Sequence, residues 1–179
     1  MPDTFRQLTV SPAEPAQLSL VVEILDEAAG WLIQRGIEQW PDRFLPGWVA
    51  GSVSAGDTFL AWRDGVALGT VTLERSDQLW TDGAGAGYVH RLATRRGTTG
   101  LGAELLGWAA RTTRRRGHTR LRLDCVAHNR RLCAYYEAAG FAARGTVTVG
   151  GFPGQRIAGA ATALVTRYEL MLSADEPVR

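Results

Sequence analysis

The sequence contains no lysine, so all 20 of its basic side chains are arginine. A P-loop binds nucleotide phosphates through a Gly-Lys-Ser/Thr sequence at the start of a helix, and this absence excludes it. Cysteine is also scarce, because Cys125 and Cys133 are too few and too close in sequence for a disulfide framework. The three histidines, at positions 90, 118 and 128, show no metal-ligand spacing, so we expect no metal site.

Long hydrophobic runs are absent as well, and none approaches the roughly 18 apolar residues of a membrane helix. The first fifteen residues, MPDTFRQLTVSPAEP, lack the basic and apolar regions of a secretory signal. Apolar residues make up 45% of the chain and charged residues 21%, as is ordinary for globular proteins. We therefore predict a reduced, cytoplasmic protein with no membrane partner. We expect a single domain over 1–172 and a polar tail over 173–179.

The net charge is only +2, but it is unevenly distributed. Residues 91–131 contain eleven arginines against Glu104 and Asp124, a local net charge of +9, and the rest of the chain has nine arginines against sixteen acidic residues. A solvated helix face and nucleic-acid binding are two interpretations of this basic span. We favour a third, a compact polyanionic cofactor, because the arginines flank a glycine-rich turn on both sides.

Hydrophobic periodicity predicts helices and strands along the whole chain. The strongest hairpin signal is Asp64-Gly65, since this dipeptide favours the tight turn between two strands. Between the first helix and that hairpin lies an aromatic segment, residues 36–48, with Trp40, Phe44 and Trp48. It is either core beneath a loop or a lid over a ligand site. The predicted strands are 5–10, 58–62, 66–74, 88–93, 119–126, 146–149 and 167–172, and the predicted helices are 16–35, 101–116 and 130–139.

The glycine-rich turn lies where a helix begins and reads Arg95-Arg96-Gly97-Thr98-Thr99-Gly100-Leu101-Gly102. Backbone N–H groups at a helix start have no helical partner and carry a partial positive charge, so an anion such as phosphate is expected here. A dinucleotide fingerprint would need a third glycine at position 105, which is leucine.

Three motifs make the sequence similar to the GNAT superfamily of N-acetyltransferases. They are Leu92-Ala93-Thr94, Thr99-Gly100-Leu101-Gly102-Ala103, and Asn129 with Tyr136-Glu137 and Gly140-Phe141. The sequence departs from the family pattern at Gly97, where Gln or Arg is usual. Arg95 or Arg96 would then supply the missing side chain.

The resemblance implies an α/β (α+β) fold with a mostly antiparallel mixed sheet of six to seven strands. About four helices would flank the sheet, which would splay between its fourth and fifth strands. It also implies acetyl-CoA as cosubstrate and a primary amine of a small molecule or peptide as acceptor. The implied cofactor-binding residues are Leu92, Ala93, Thr94, Arg95, Arg96, Thr98, Thr99, Gly100, Leu101, Gly102, Ala103, Asn129 and Tyr136.

The same resemblance makes Tyr136 the general acid for the leaving thiolate, unless it is only a tyrosine that packs on the sheet. The backbone N–H near Leu92 or Ala93 would stabilise the oxyanion. An amine attacks only when it is neutral, so a base is also needed. His90, with an ordinary pKa near 6.5, and Glu74 are the candidates, and Asp82 is a further one.

Asp124 is expected to orient its neighbours or to pair with an arginine, and Cys125 to lie in the core. Trp31, Trp40, Trp80 and Tyr88 are the candidate substrate contacts, which would suit a cationic or aromatic amine. The alternative function is an acyl-CoA-binding regulatory module without turnover, which the unusual Gly97 favours. A monomer and a homodimer both remain open.

Overall fold

Seven strands form one mixed sheet in the computed structural model, which describes residues 8–150 and 162–173. The strand order is β1-β2-β3-β4-β5-β7-β6, and every neighbouring pair is antiparallel except β4 and β5. The strands are β1 Thr9–Pro12, β2 Thr58–Arg63, β3 Val66–Glu74, β4 Gly87–Thr94, β5 Arg120–Val126, β6 Ala142–Gly150 and β7 Thr162–Met171. The helices are α1 Leu18–Ile33, α2 Gly47–Ser54, α3 Leu101–Arg115 and α4 Arg130–Ala138, and a 3₁₀ turn at Pro15–Gln17 leads into α1. This architecture confirms the expected fold class.

None of the helices in the described part of the chain is both long enough and apolar enough to cross a membrane.

Helix α2 is the main element that sequence patterns missed. Gly47 and Gly51 lower its intrinsic helix propensity, so the local sequence resembles a loop. Val49 and Val53 are buried against α1 and β2, and this tertiary packing stabilises the helix. The first strand is also shifted, because β1 begins at Thr9. Positions 5–7 of the expected strand, the glycine-rich connection over 151–161 and most of the polar tail lie outside the described residues.

Strands β4 and β5 pair over three residues only, with Val89 opposite Leu123 as the last pair. Beyond this point the two strands separate, as the family resemblance implied. A bulge in β4 accompanies the separation: His90 pairs with Thr72 of β3, whereas the next pair along the two strands is Ala93 with Thr70. Arg91, inside the bulge, has a left-handed φ of 47°.

The bulge places His90 and Leu92 on opposite faces of the sheet, although the alternation of a regular strand would put them on the same face. An extra residue in β4 shifts the alternation of side chains by one position. Leu92 consequently packs with the α3 cluster, whereas Ala93 packs with the α1–α2 cluster. The sheet thus has α3 and α4 on one face and α1 and α2 on the other.

Gly87, at the start of β4, is required by its contact with α3. A Cβ at this position would collide with Oγ1 of Thr113 and lie 3.1 Å from the Thr113 Cβ. Thr113 is fully buried and β-branched, so it cannot rotate away easily. We expect Gly87→Ala to lower the free energy of unfolding by about 2 kcal/mol in urea denaturation.

Gly51→Ala is the matched control, because Gly51 lies in α2 with no atom near an added Cβ. That substitution should raise stability by about 0.5 kcal/mol or more. Equal stability of Gly87→Ala and the wild type would show that α3 packs less closely on β4 than described.

Candidate active site

A cavity of about 900 Å³ opens where β4 and β5 separate. This volume is in the range of sites for small molecules and cofactors. Its walls come from β4, β5, α4 and the aromatic segment between α1 and α2. Seven of the expected cofactor-binding residues line it, namely Leu92, Ala93, Thr94, Arg96, Gly102, Asn129 and Tyr136.

The glycine-rich turn closes one end of this cavity. The first backbone hydrogen bond of α3 runs from Glu104 N to Gly100 O, so the N–H groups of residues 101–103 precede the helical hydrogen bonds. Gly97 and Gly100 have φ of 81° and 82°, which only glycine adopts without strain. Glycine at position 97, where the family pattern has Gln or Arg, therefore suits the left-handed backbone of this turn.

Arg95 and Arg96, the two arginines before Gly97, have different partners. Arg95 donates to Glu23 at 2.6 Å, to Glu27 at 2.8 Å and to the carbonyl of Ala67 at 2.9 Å. The hydrogen bond to Glu23 is the main cause that raises the pKa of Arg95. Arg95 therefore ties α1 to the start of β3 and does not line the cavity.

Arg96 does line the cavity, and its guanidinium lies 4.3 Å above the ring of Trp31. The backbone N–H of Arg96 donates to Glu27, which fixes the start of the turn. Stacking on an indole holds the guanidinium while leaving its N–H edges free to donate in the ring plane. Arg96 is thus the better-placed arginine for an anion at the turn.

The remaining expected cofactor positions lie outside the cavity lining. The Thr98 hydroxyl donates to the Arg95 carbonyl at 2.6 Å and so stabilises the turn itself. Leu101 is fully buried in the core beneath α3. Ala103 lines a smaller cavity, next to Leu8 and Trp108. Thr99 and Gly100 are exposed at the helix start. These residues could contribute backbone groups, but their side chains do not border the cavity.

Asn129 caps α4 and also contacts the aromatic segment. Its Oδ1 accepts from the N–H of Leu132 at 3.2 Å, and its Nδ2 donates to Oε1 of Gln39 at 2.7 Å. Gln39 lies next to Trp40, which packs edge to face on Phe44. The aromatic segment is therefore both core and cavity wall, so the two interpretations of it are compatible. Trp31 and Trp48 line the cavity with Trp40.

Tyr136 lies in α4 among other aromatic rings, with Phe141 and Tyr168 about 6 Å away between ring centroids. It is 9% exposed and borders the cavity. Burial raises the pKa of its phenol well above the ordinary value. The hydroxyl therefore keeps its proton at neutral pH and can act as a donor but not as a base.

Two of the expected substrate contacts lie elsewhere. Trp80 stacks on Arg122 at 4.1 Å, and the Tyr88 hydroxyl is 3.3 Å from a guanidinium nitrogen of the same arginine. Asp82 forms a bidentate ion pair with Arg122, and this hydrogen bonding lowers the pKa of Asp82 to about 2. Because Arg122 is buried in the sheet, these three residues surround it rather than the cavity.

A group of ionisable side chains lies at the other end of the cavity. Nε2 of His90 is 3.4 Å from Oδ2 of Asp77 and 3.6 Å from Oε2 of Glu74. Asp124, on the neighbouring strand, completes this group, which we call the acidic cluster: Glu74, Asp77, His90 and Asp124. The nearest atoms of Asp77, His90 and Asp124 all lie within 4.8 Å of one another, a spacing that a divalent cation could also bridge.

Asp124 differs from its sequence-based expectation, because it has no arginine partner among the described residues. Its Oδ1 is buried without a hydrogen-bond partner there, as is Nε2 of His90. Burial raises the pKa of Asp124 to about 6. Sequence patterns missed Asp77 altogether, since it follows β3 in a connection without a recognisable motif.

Comparison with known proteins agrees with this geometry. The model of the acetyltransferase (GNAT) family matches residues 18–141. An uncharacterized N-acetyltransferase of Bacillus subtilis strain 168, YesJ, is 33% identical over 143 residues, which cover 73% of this chain and 79% of YesJ.

Solved structures share the fold. A GNAT-family acetyltransferase from Listeria monocytogenes 4b F2365 superposes with a TM-score of 0.71 at 20% identity, covering 92% of this chain and 95% of that one. The protein yncA from Salmonella typhimurium, solved with its cofactor acetyl-CoA, has a TM-score of 0.65 at 17% identity and covers 95% and 96%. The separated strands, the glycine-rich turn and these matches lead to one conclusion: the chain belongs to the GNAT family of acetyltransferases.

Proposed function

We propose that this enzyme moves the acetyl group of acetyl-CoA to a primary amine of a small molecule or peptide by direct attack. The observation that carries the proposal is the cavity between β4 and β5. It places Tyr136, an exposed strand edge and a helix start along one continuous surface. A long cofactor with amides in its middle and phosphates at one end fits such a surface.

The residues of the cavity suit each part of acetyl-CoA. Arg96 and the N–H groups of 101–103 would hold the phosphates, since both are donors at a helix start. The edge of β4 beyond Val89 has no strand partner on the β5 side, so it can hydrogen-bond the amides of an extended arm. Asn129 would also bind that arm, after exchanging its contact with Gln39. Acetyl-CoA supplies the thioester whose carbonyl carbon the amine attacks.

Different side chains give a proton to the sulfur and take a proton from the ammonium. Tyr136 borders the cavity and carries its proton at neutral pH, so it is the candidate donor to the departing sulfur. A backbone N–H near Leu92 or Ala93 stabilises the oxyanion. His90 and Glu74 both border the cavity, so both are candidates to take the proton that the ammonium must lose.

The acceptor end of the cavity favours a cationic substrate. Glu74, Asp77 and Asp124 border it, whereas Arg91 is the basic residue beside them and already lies 3.7 Å from Glu74. Trp40 and Trp48 add aromatic surface that suits an alkyl or aryl ammonium. Diamines, polyamines and arylalkylamines are therefore the classes to test first.

A screen for thiol release from acetyl-CoA tests the proposal. The panel would contain a diamine, a polyamine, an arylalkylamine, free amino acids and a peptide with a free N-terminus, with mass spectrometry of each product. We expect thiol release with at least one amine, and one acetylated amine for each thiol. Tight binding of acetyl-CoA without any thiol release would support the alternative, a regulatory module.

Arg96 and Arg95 give a matched pair of variants for the phosphate contact. We expect Arg96→Gln to weaken coenzyme A binding about tenfold or more, since a charged hydrogen bond contributes roughly 1.5 kcal/mol or more. Arg95→Gln should leave binding within about twofold, because Arg95 is bonded to Glu23 and Glu27. Isothermal titration calorimetry with coenzyme A measures both. The reverse order of effects would assign the phosphate to Arg95.

A further inference from the structure

We propose that Asp124 receives the ammonium group of the acceptor and takes its proton, with His90 and Asp77 positioning that group beside it. This inference rests on the proposed function, since it identifies the proton acceptor of the same reaction. The sequence indicated His90 and Glu74 as candidate bases, and it indicated a structural role for Asp124. We now assign the role of the base to Asp124.

The position of Asp124 at the strand separation is the first argument. Val89 and Leu123 form the last pair of β4 with β5, so His90 and Asp124 are the first residues on either side of the gap. Asp124 precedes Cys125 on β5, and neighbours on a strand point to opposite faces. Cys125 packs with Tyr136 on the α4 face, which places Asp124 on the other face.

The proposed acid and base therefore lie on opposite faces of one opening in the sheet. Tyr136 borders the opening from the α4 face, where a leaving sulfur can be protonated. Asp124 borders it from the face that carries α1, α2 and the aromatic walls. An amine bound on this second face would lie next to the carboxylate, where it can lose a proton before it attacks.

A shortage of hydrogen-bond donors in the acidic cluster is the second argument. Three carboxylates surround one imidazole, and both Oδ1 of Asp124 and Nε2 of His90 are buried without a hydrogen-bond partner among the described residues. A buried unpaired polar atom is unfavourable unless a ligand completes its hydrogen bonding. A primary ammonium carries three N–H donors and a positive charge, so it satisfies this cluster.

Glu74 is less suited to the role. Its side chain is 34% exposed, and it lies 3.7 Å from the guanidinium of Arg91. Glu74 is therefore partly solvated and already has a cationic neighbour, whereas Asp124 is buried, and burial favours proton uptake by its carboxylate. The charged and titratable groups that surround Asp124 from the packed elements are His90, Asp77, Glu74, Cys125, Tyr136 and Arg167.

Arg167 of β7, opposite Asp124 in the sheet, does not neutralise it. The guanidinium of Arg167 donates to the carbonyls of Leu79 at 2.9 Å and Arg144 at 3.0 Å, and it stacks on Trp80. Its charge is thus directed toward backbone oxygens. Asp124 keeps the capacity to bind an incoming cation.

The proton step balances without another reactant. One N–H bond of the ammonium breaks and an O–H bond forms on Asp124, while the electron pair stays on nitrogen and becomes the nucleophile. The Asp124 carboxyl then ionises again and releases the proton to water through the open cavity. The nitrogen loses a second proton after the attack, and this loss offsets the proton that Tyr136 gives to sulfur.

The test compares Asp124→Asn with His90→Gln and Glu74→Gln, and uses Asp42→Asn, on the exposed surface, as the control for an Asp-to-Asn change. We expect Asp124→Asn to lower kcat for the best amine about 100-fold and to leave the Kd for coenzyme A unchanged. Wild-type kcat/KM for the amine should fall as pH drops through about 6, where Asp124 of the free enzyme becomes protonated. This acid limb should vanish in Asp124→Asn and persist in His90→Gln.

Stability against pH gives a readout that does not depend on turnover. The pKa of Asp124 is raised from 3.8 to about 6, so its protonated form favours folding, and this contribution is lost as pH rises through that range. The Tm of Asp124→Asn relative to wild type should therefore increase between pH 4 and pH 6. A purely structural aspartate, with an ordinary or lowered pKa, would give no change or the opposite trend.

Each alternative outcome has a distinct meaning. If the wild type turns over and Asp124→Asn is equally active, Asp124 is not the proton acceptor, but the proposed function stands. The same conclusion follows if the acid limb is lost in His90→Gln and kept in Asp124→Asn. Loss of activity with EDTA and recovery with a divalent cation would make the cluster a metal site and overturn the assignment too. Absence of thiol release by the wild type with every amine overturns the proposed function itself.

Discussion

Tyr136→Phe should lower kcat about 100-fold while the KM for acetyl-CoA changes less than about twofold. The substitution removes one hydroxyl from a side chain that is packed among Phe141, Tyr168 and Tyr135. Its ring contacts therefore persist, and the fold should be kept. General acids contribute roughly 10² or more to rate, so the loss falls on the chemical step. Steady-state kinetics of thiol release with the best amine measures it.

Tyr135→Phe is the matched control on the same helix. Its ring is 40% exposed at the cavity rim, and removal of this hydroxyl should change kcat by less than about threefold. An unchanged kcat in Tyr136→Phe would remove Tyr136 from the acid role. The thiolate would then leave without a protein donor.

The second large effect is on stability, and it concerns Glu169. Arg122 is 1% exposed, and Glu169 accepts from its Nε at 2.8 Å and lies 2.7 Å from its Nη2. Asp82, the other carboxylate on Arg122, is half-exposed, so removing the buried charge of Glu169 leaves the buried guanidinium only partly compensated, which is costly. We expect Glu169→Gln to lower the free energy of unfolding by about 3 kcal/mol, or the Tm by roughly 6 to 12 °C.

Glu104→Gln serves as the control, since Glu104 forms an exposed ion pair with Arg63 at 3.1 Å. Exposed pairs contribute about 1 kcal/mol at most, so this variant should be nearly neutral. A Glu169→Gln protein as stable as the Glu104→Gln protein would mean that Asp82, the other carboxylate on Arg122, suffices alone. Thermal unfolding followed by circular dichroism distinguishes these results.

Local sequence signals predicted the elements whose causes are local. The Asp64-Gly65 hairpin is confirmed, because left-handed φ values of 54° and 76° at these two residues are what such a turn needs. Gly117, with φ of 82°, follows α3 as a helix-ending glycine should. Helix α2 was not predicted, because burial of Val49 and Val53 stabilises it rather than its intrinsic helix propensity.

The acidic cluster could not be predicted in the same way. His90 and Asp124 meet only because β4 and β5 lie side by side in parallel with a fixed register, and the whole of α3 separates them in sequence. The partners of Arg95 are also distant in sequence, since Glu23 and Glu27 lie about 70 residues before it. Tyr88 and Trp80 look like ligand contacts until the buried Arg122 beneath them is known.

A backbone-amide NMR titration of the 19.4 kDa protein with coenzyme A tests the position of the cofactor site. We expect the largest shift changes in two groups of amides, residues 91–94 along the free edge of β4 and residues 101–103 at the start of α3. The side-chain amide of Asn129 should shift with them. Changes confined to other strands, with these amides unmoved, would contradict a cofactor site between β4 and β5.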